Sequence, residues 1–233
     1  MLRSILTAEL LPGEAFAETT GMVSTSFGDL HLEGNTLKVV FTARHNGVPP
    51  GEEFNISYAL LQAFPLTLAL VTDVVVDWLS FDYLNFADGT ESYGLSSRVP
   101  SLGGRGQRKV ESNDLSSMQE LLPLVISDSH LRWALEDYRI ALGERDHALI
   151  FLYRCIEWLK LRFDGWERAW KAIASSRKEF DAIKKPANQY YRHAQMGRPR
   201  TIPAEEVNDA FKNTRKILQK YVDYLRCQAL NAT

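Results

Sequence analysis

The spacing of apolar residues changes once along this chain, near residue 115, and this change constrains the fold more than any other feature. Before it, short runs rich in Val, Thr and aromatic residues alternate with turn sequences such as "HNGVPPGEE" and "ADGTESYG", as antiparallel strands do. After it, apolar residues recur every three or four positions, which is typical of amphipathic helices. The sequence therefore predicts an α+β protein, with a β-rich module at residues 1–112 followed by an all-α helical bundle at 113–233.

The first part contains several candidate strands and one connector. Strands are predicted within residues 19–27, 36–44 and 68–86, and a short helix is predicted at 54–64. Residues 96–114 are rich in Gly, Ser and charge and poor in apolar side chains, so we expect an exposed connector there. Its "GGRGQRK" lacks the Gly-Lys-Ser/Thr ending of a Walker loop, which favours a plain linker.

The second part has start and stop signals for four or five helices. Ser127 or Asp128 can cap the first long helix, and residues 146–163 are apolar around much of the circumference, which marks a central helix. Because proline disfavours helical geometry at the residue before it, Pro186 is expected to separate "ANQYYRHA" as a short helix of its own. Pro203 is expected to open the last helix.

Charge is distributed unevenly between the two parts. Residues 1–127 hold 7 Lys/Arg against 15 Asp/Glu, whereas residues 128–233 hold 20 against 14. Two interpretations follow: a polyanion would meet the second part, or both balances belong to ordinary solvated faces. The 2 cysteines, Cys155 and Cys227, stand far apart without a Cys-x-x-Cys motif, which indicates buried, reduced thiols and no zinc site. We expect no cofactor and no metal.

The sequence does not predict a membrane span or a secretory signal. The most apolar run, residues 66–81, is interrupted by Asp73 and Asp77, whose charges are costly in hydrocarbon. The first 18 residues acquire acidic side chains at once and show no clear small-residue cleavage site. A cytoplasmic protein is the expectation.

The stretch "PANQYYRHAQMGRPR", residues 186–200, concentrates the candidate chemistry. On a helix, Asn188, Tyr191 and Arg192 would share one face. Residues 177–200 carry 7 basic side chains against 2 acidic ones, so several cations could converge on one phosphate, to which arginine offers bidentate hydrogen bonds. The predicted ligand-binding residues are Asn188, Tyr191, Arg198, Arg200, Lys184 and Lys185, beside Arg192 and His193.

Residues 128–228 resemble the HEPN superfamily. The resemblance rests on the apolar central helix "ALIFLYRCIEWL", the following "N…YRHA" and a long closing helix. It implies an all-α bundle that is frequently dimeric and often found in prokaryotic defence and toxin systems. Many members of this superfamily are metal-independent ribonucleases whose active site forms where two copies meet.

The superfamily motif is matched only in part. Its usual form is an arginine, a polar residue directly after it, and a catalytic histidine about four to six residues further along. Arg192 and His193 match the first two positions, but Gly197, Arg198 and Pro199 stand where the second histidine is expected. With one histidine per chain, a dimer would have to supply the other one from its symmetry mate. Superfamily members often carry a glutamate near the position of Glu157, for which we expect an ion pair with a basic residue of the Arg192 helix.

Three functions therefore remain open. The first is an HEPN-like binder of nucleotide or RNA phosphates that uses the Arg192-His193 cluster without canonical catalysis. The second is a homo-oligomeric protein-interaction component with no ligand chemistry, in which Arg192 and Asn188 cap neighbouring helix ends. The third is a divergent metal-independent endoribonuclease with His193 as acid/base and with Arg192 and Arg198 stabilising the phosphate charge. The expected partners are a second copy of the chain, RNA or a nucleotide, and a protein that contacts the N-terminal module.

Overall fold

The computed structural model describes residues 2–11, 13–16, 18–42, 45, 47–49, 51–86, 89–95, 109–194 and 202–231, with the backbone alone at 13–14, 77, 95, 145 and 191–194. The chain forms two compact units, residues 1–127 and 128–233. A sheet dominates the first unit and helices form the second, so the prediction of an α+β protein is confirmed. The domain boundary predicted at 112/113 lies at the start of a helix, Ser112–Met118, and this helix and the next one, Leu121–Ser127, both pack within the first unit.

The first unit contains an antiparallel sheet of six strands in the order β2-β3-β4-β1-β5-β6. Its elements are β1 (Leu2–Leu11), a 3₁₀ turn (Gly13–Phe16), β2 (Thr20–Ser24), β3 (Asp29–Glu33), β4 (Thr36–Thr42), α1 (Glu53–Thr72), β5 (Asp77–Asn85), β6 (Glu91–Leu95), α2 (Ser112–Met118) and α3 (Leu121–Ser127). α1 packs against β1, β4 and β5, and it also contacts α2 and α3. Alternate residues of β4, namely Leu37, Val39 and Phe41, are buried, as their spacing predicts.

α1 is longer than the sequence predicts, and residues 68–72, predicted as strand, form its last turns. The prediction failed because residues 60–70 are buried almost all round, and a fully buried helix shows no period that distinguishes it from a buried strand. Asp73 ends the helix in the left-handed region, with φ of 59°. α1 has the length and composition to cross a membrane, but 61% of its most apolar window is buried inside the protein, as in a core helix.

The regular elements among the described residues of the second unit are all helices. Its elements are α4 (Ser129–Gly143), a 3₁₀ turn (Arg145–His147), α5 (Ala148–Arg162), α6 (Trp166–Ala172), α7 (Arg177–Ala194) and α8 (Ala204–Asn231). The Asp128 carboxylate caps α4 by accepting a hydrogen bond of 2.7 Å from the backbone N–H of Leu131. α5 packs against α4, α6, α7 and α8, which confirms its central position.

The two cysteines lie in different environments. Cys155 is buried in α5, and burial raises the pKa of its thiol well above the usual value. Cys227 is exposed, so the prediction that it is buried was wrong. The last buried residue of α8 is Val222, and the turns beyond it leave Leu230 75% exposed. The apolar spacing continues further along α8 than its packing does.

α7 runs without interruption through Pro186, so the predicted break before "ANQYYRHA" was wrong. Proline removes one backbone hydrogen bond and costs a helix interior roughly 3 kcal/mol. Phe180 and Ile183 are fully buried on the same helix and Ala187 is 4% exposed, while α7 packs against α5 and α8. Burying two large apolar side chains contributes about 1.5–3 kcal/mol each, which offsets the cost of the proline.

Candidate functional site

α7 carries most of the predicted site residues on one continuous helix. Lys184 and Asn188 are four positions apart and lie on one face, and the backbone at Tyr191 continues that face. Arg192 follows Lys184 by eight residues, or about 12 Å along the axis at 1.5 Å per residue. The side chains of Tyr191, Arg192 and His193, and all of Arg198 and Arg200, lie outside the described part of the chain.

Two lysines from different helices meet at one aromatic ring. The Nζ atom of Lys184, on α7, lies 4.3 Å from the ring centroid of Trp166, the first residue of α6. The Nζ atom of Lys160, near the end of α5, lies 5.4 Å from the same centroid. All three residues are half-buried. We call Lys160, Trp166 and Lys184 the Lys–Trp–Lys cluster.

The indole of this cluster is held by other aromatic side chains. Its ring centroid lies 5.9 Å from that of Phe180, in an edge-to-face arrangement, and 6.2 Å from that of Tyr153. Phe180 is fully buried, so the ring rests on the core of the helical unit. Each cation–π contact contributes about 0.5–1 kcal/mol at a partly exposed site.

Sequence reasoning found Lys184 but missed Lys160 and the role of Trp166. The two stand on opposite sides of the helix break at Asp164 and Gly165, which have φ of 55° and 137°. The direction in which the chain turns at this break decides whether they meet, and no helical spacing encodes that direction. Lys185 and Asn188 are exposed beside the cluster.

The start of α7 is fixed by a capping arrangement around Glu179. The backbone N–H of Glu179 donates to Ser176 Oγ at 3.2 Å, and the Glu179 carboxylate accepts from the Ser176 N–H at 3.0 Å. The sequence signature of this capping box is Ser-x-x-Glu, residues 176–179. From α8, Lys216 Nζ lies 2.6 Å and Lys220 Nζ 2.9 Å from the same carboxylate.

The environment of Glu179 keeps it ionised. Partial burial acts to raise its pKa, but hydrogen bonds from Lys216, Ser175 and Lys220 outweigh this effect, so the pKa lies well below its ordinary value. The ion pairs join α8 to the first turn of α7. They therefore help to set the position of the helix that carries Lys184.

Glu157 is half-buried in α5, and the partner expected for it is a basic residue of α7. Among the described side chains, no lysine of α7 forms an ion pair with it, and the Arg192 side chain lies outside them. The better-connected carboxylate of this region is Asp137 on α4, which is 2% exposed. It accepts a hydrogen bond of 2.8 Å from Trp158 Nε1 and lies 3.1 Å from Arg154. Burial raises the pKa of Asp137, and the contacts with Trp158 and Arg154 counteract this.

Within the described ranges, no group of three or more His, Cys, Asp or Glu side chains is arranged to hold a metal ion. The Lys–Trp–Lys cluster and the exposed Asn188 beside it supply two lysine ammonium groups, an indole and an amide. These groups bind anions and flat ring systems.

Comparison with known proteins shows that part of the chain is similar to one family domain. Residues 118–226 match the DUF8168 C-terminal domain, a domain of unknown function. No curated protein and no solved structure matches the chain. The matched residues run from the end of α2 into α8. The Lys–Trp–Lys cluster and the whole of α7 therefore lie inside the matched domain.

Proposed function

We propose that this chain binds the phosphates of RNA or of a nucleotide through the Lys–Trp–Lys cluster and the exposed face of α7, without canonical catalysis. The observation that carries the proposal is the convergence of Lys160 and Lys184 on Trp166, with Nζ atoms 5.4 and 4.3 Å from its ring centroid. Phosphate contacts from lysine and stacking on aromatic rings are the two usual components of sequence-independent RNA binding.

The rest of α7 extends this surface. Lys185 and Asn188 are exposed near the cluster and add a cation and an amide. Two turns further along, Arg192 and His193 extend the same helix, and arginine is the side chain best suited to bidentate phosphate binding. The excess of 20 Lys/Arg over 14 Asp/Glu in residues 128–233 favours approach of a polyanion to this unit.

We place this binding activity in an HEPN-like, self-associating cytoplasmic protein of prokaryotic defence. Support comes from the central apolar helix α5, from the long closing helix α8, and from Arg192 and His193 standing together near the end of α7. Because the second motif histidine is missing, we propose phosphate binding without catalysis.

The test measures binding of a fluorescein-labelled single-stranded RNA of about a dozen nucleotides and of ATP to the full chain, by fluorescence polarisation and calorimetry. We expect binding at low salt that weakens steeply as salt is added. The K160Q/K184Q double variant should lose most of this affinity. A matched control is K212Q, because Lys212 lies on α8 with its side chain 80% exposed and should matter little. Absence of RNA and nucleotide binding by the wild type at low salt would overturn the proposal.

One observation favours self-association as a second function. Trp133 is 43% exposed on α4 and Leu161 is 60% exposed on α5, while the ring centroids of Trp133 and Trp158 lie 4.8 Å apart. Aromatic side chains are enriched in the cores of protein interfaces, and contiguous exposed apolar patches mark interaction sites. Light scattering on the wild type and on W133S/L161S would show a dimer that the double variant loses. A wild type that is monomeric at all concentrations would exclude this function.

A further inference from the structure

The outer face of the sheet, opposite α1, carries side chains in continuous rows. Strand register places directly opposed residues of all six strands in one row: Met22, His31, Lys38, Thr7, Asp82 and Tyr93. The neighbouring row contains Val40, Ile5, Leu84 and Glu91. Apolar and charged side chains therefore lie next to each other on one surface of the first unit.

This face contains a shallow depression of about 500 Å³ over β1, β5 and β6. Its lining includes Ile5, Thr7, Asp82, Leu84, Glu91 and Tyr93. Tyr93 is 64% exposed, and Asp82 and Glu91 are also exposed. In the register Asp82 opposes Tyr93 and Leu84 opposes Glu91, so Asp82 and Glu91 are diagonal neighbours, whose Cα atoms lie roughly 7–8 Å apart in such a sheet.

Among the described residues, carboxylates outnumber cations on the outer face. The described strands carry the carboxylates of Glu9, Glu33, Asp82 and Glu91 on this face, together with the ammonium of Lys38, which lies 4.0 Å from Glu33. In the part of the chain that the structure describes, no Lys or Arg pairs with Asp82 or Glu91. Over residues 1–127 the balance is 7 Lys/Arg against 15 Asp/Glu, which adds to the negative potential.

We propose that this depression is a docking site for a segment of a partner protein that presents a Lys or Arg side chain beside an apolar one. The cationic head lies between Asp82 and Glu91, against the ring of Tyr93, where two carboxylates and an aromatic face stabilise it together. The adjacent apolar side chain packs on Ile5 and Leu84. Charge complementarity selects a basic segment over a neutral or acidic one.

The experiment selects 12-residue peptides from a random phage-displayed library on the immobilised full chain, after removing those that bind D82K/E91K. A selected peptide is then synthesised and its Kd measured by calorimetry. The expected peptides contain Lys or Arg next to apolar residues. D82N/E91Q removes both carboxylates and should weaken binding roughly tenfold, since each exposed ion pair contributes up to about fivefold to the affinity. E33Q, which neutralises a 77% exposed carboxylate at the other end of the same face, should leave the Kd unchanged.

Other results would overturn the proposal. These are an absence of enriched peptides, enrichment of acidic peptides, or equal binding by D82N/E91Q and the wild type. A dimer in light scattering that D82N/E91Q abolishes, with no peptide bound, would assign the face to a second copy of the chain. Because the replaced carboxylates are exposed, thermal unfolding should show that the variants remain folded. K184Q should bind the peptide normally, which separates this test from that of phosphate binding.

Discussion

Lys184 lies over Trp166, its Nζ 4.3 Å from the ring centroid, and this contact joins α7 to the first residue of α6. Lys160 approaches the same ring, with its Nζ 5.4 Å from the centroid, so two ammonium groups from different helices lie beside one indole. Phosphate binding there should release counterions from the nucleic acid in proportion to the number of lysines engaged.

The first prediction concerns the salt dependence of RNA binding. K160Q and K184Q should each reduce the slope of log K against log salt by about 0.7, the value per neutralised phosphate on a single strand. The measurement is a polarisation titration of labelled RNA at four or five salt concentrations. K212Q should keep the wild-type slope. Unchanged slopes in both cluster variants would remove these lysines from the binding surface.

The second prediction concerns Glu179 and acid. Partial burial acts to raise its pKa, but hydrogen bonds from Lys216, Ser175 and Lys220 hold the pKa below the ordinary 4.5. The unfolded state therefore binds more protons than the native state in this range, so stability increases with pH. The contribution is complete above pH 4.5 and is lost as pH falls below it. Hydrogen bonds to a charged group contribute about 1.5–3 kcal/mol, so E179Q should cost roughly that at pH 7.

The measurement is urea unfolding of the wild type and E179Q between pH 3 and pH 7. The difference in free energy of unfolding should shrink as pH falls below 4.5. E167Q is the matched control, because Glu167 also bonds a lysine, Lys171, but does so on a fully exposed surface of α6. A constant difference across the whole pH range would mean that Glu179 acts through packing rather than through its charge.

The fold was predictable in elements that have one apolar and one polar face. It was unpredictable in elements that are buried on all sides. The alternation of apolar residues in β4 and the capping residue Asp128 are local sequence signals, and the structure confirms both. Over its last turns α1 could not be distinguished from a strand by its sequence, because it is buried on several sides. The continuity of α7 was not predictable from local sequence. The cost of Pro186 in the helix is outweighed by the burial of Phe180 and Ile183, which is a tertiary effect.

The candidate site was predictable only along α7. Residues 177–200 are rich in basic side chains, and α7 places Lys184 and Asn188 on one face. Lys160 and Trp166 join them through the turn at Asp164 and Gly165, and the outer-face row of the sheet depends on strand order. Both are long-range arrangements, so no short stretch of sequence contains them.

The third prediction concerns the buried hydroxyl of Tyr221. It donates a hydrogen bond of 3.0 Å to Asp128 Oδ1, the atom that also accepts from the N–H of Leu131. Burial and the nearby Asp128 charge raise the pKa of Tyr221, so the hydroxyl remains a donor at neutral pH. Y221F should cost about 1–1.5 kcal/mol in unfolding free energy. D128A should cost more, since it also removes the helix cap.

A double-mutant cycle distinguishes this bond from general packing. If Tyr221 acts through Asp128, Y221F in the D128A background should cost much less than it does alone. The measurement is the free energy of unfolding of the four proteins in urea. Strictly additive costs would show that the two side chains stabilise the unit independently.

The last prediction concerns RNA cleavage. Metal-independent cleavage needs a base at the 2′-hydroxyl and an acid at the leaving oxygen, and each such group contributes about 10²–10⁴-fold. The motif supplies His193 alone, with Gly197, Arg198 and Pro199 where the second histidine is expected. We therefore expect RNA incubated with the full chain and excess chelator to stay intact in a denaturing gel. Cleavage that H193A abolishes and H147A retains would instead establish a composite site that draws its second histidine from another copy. H147A is the suitable control because the His147 side chain is 63% exposed at the start of α5.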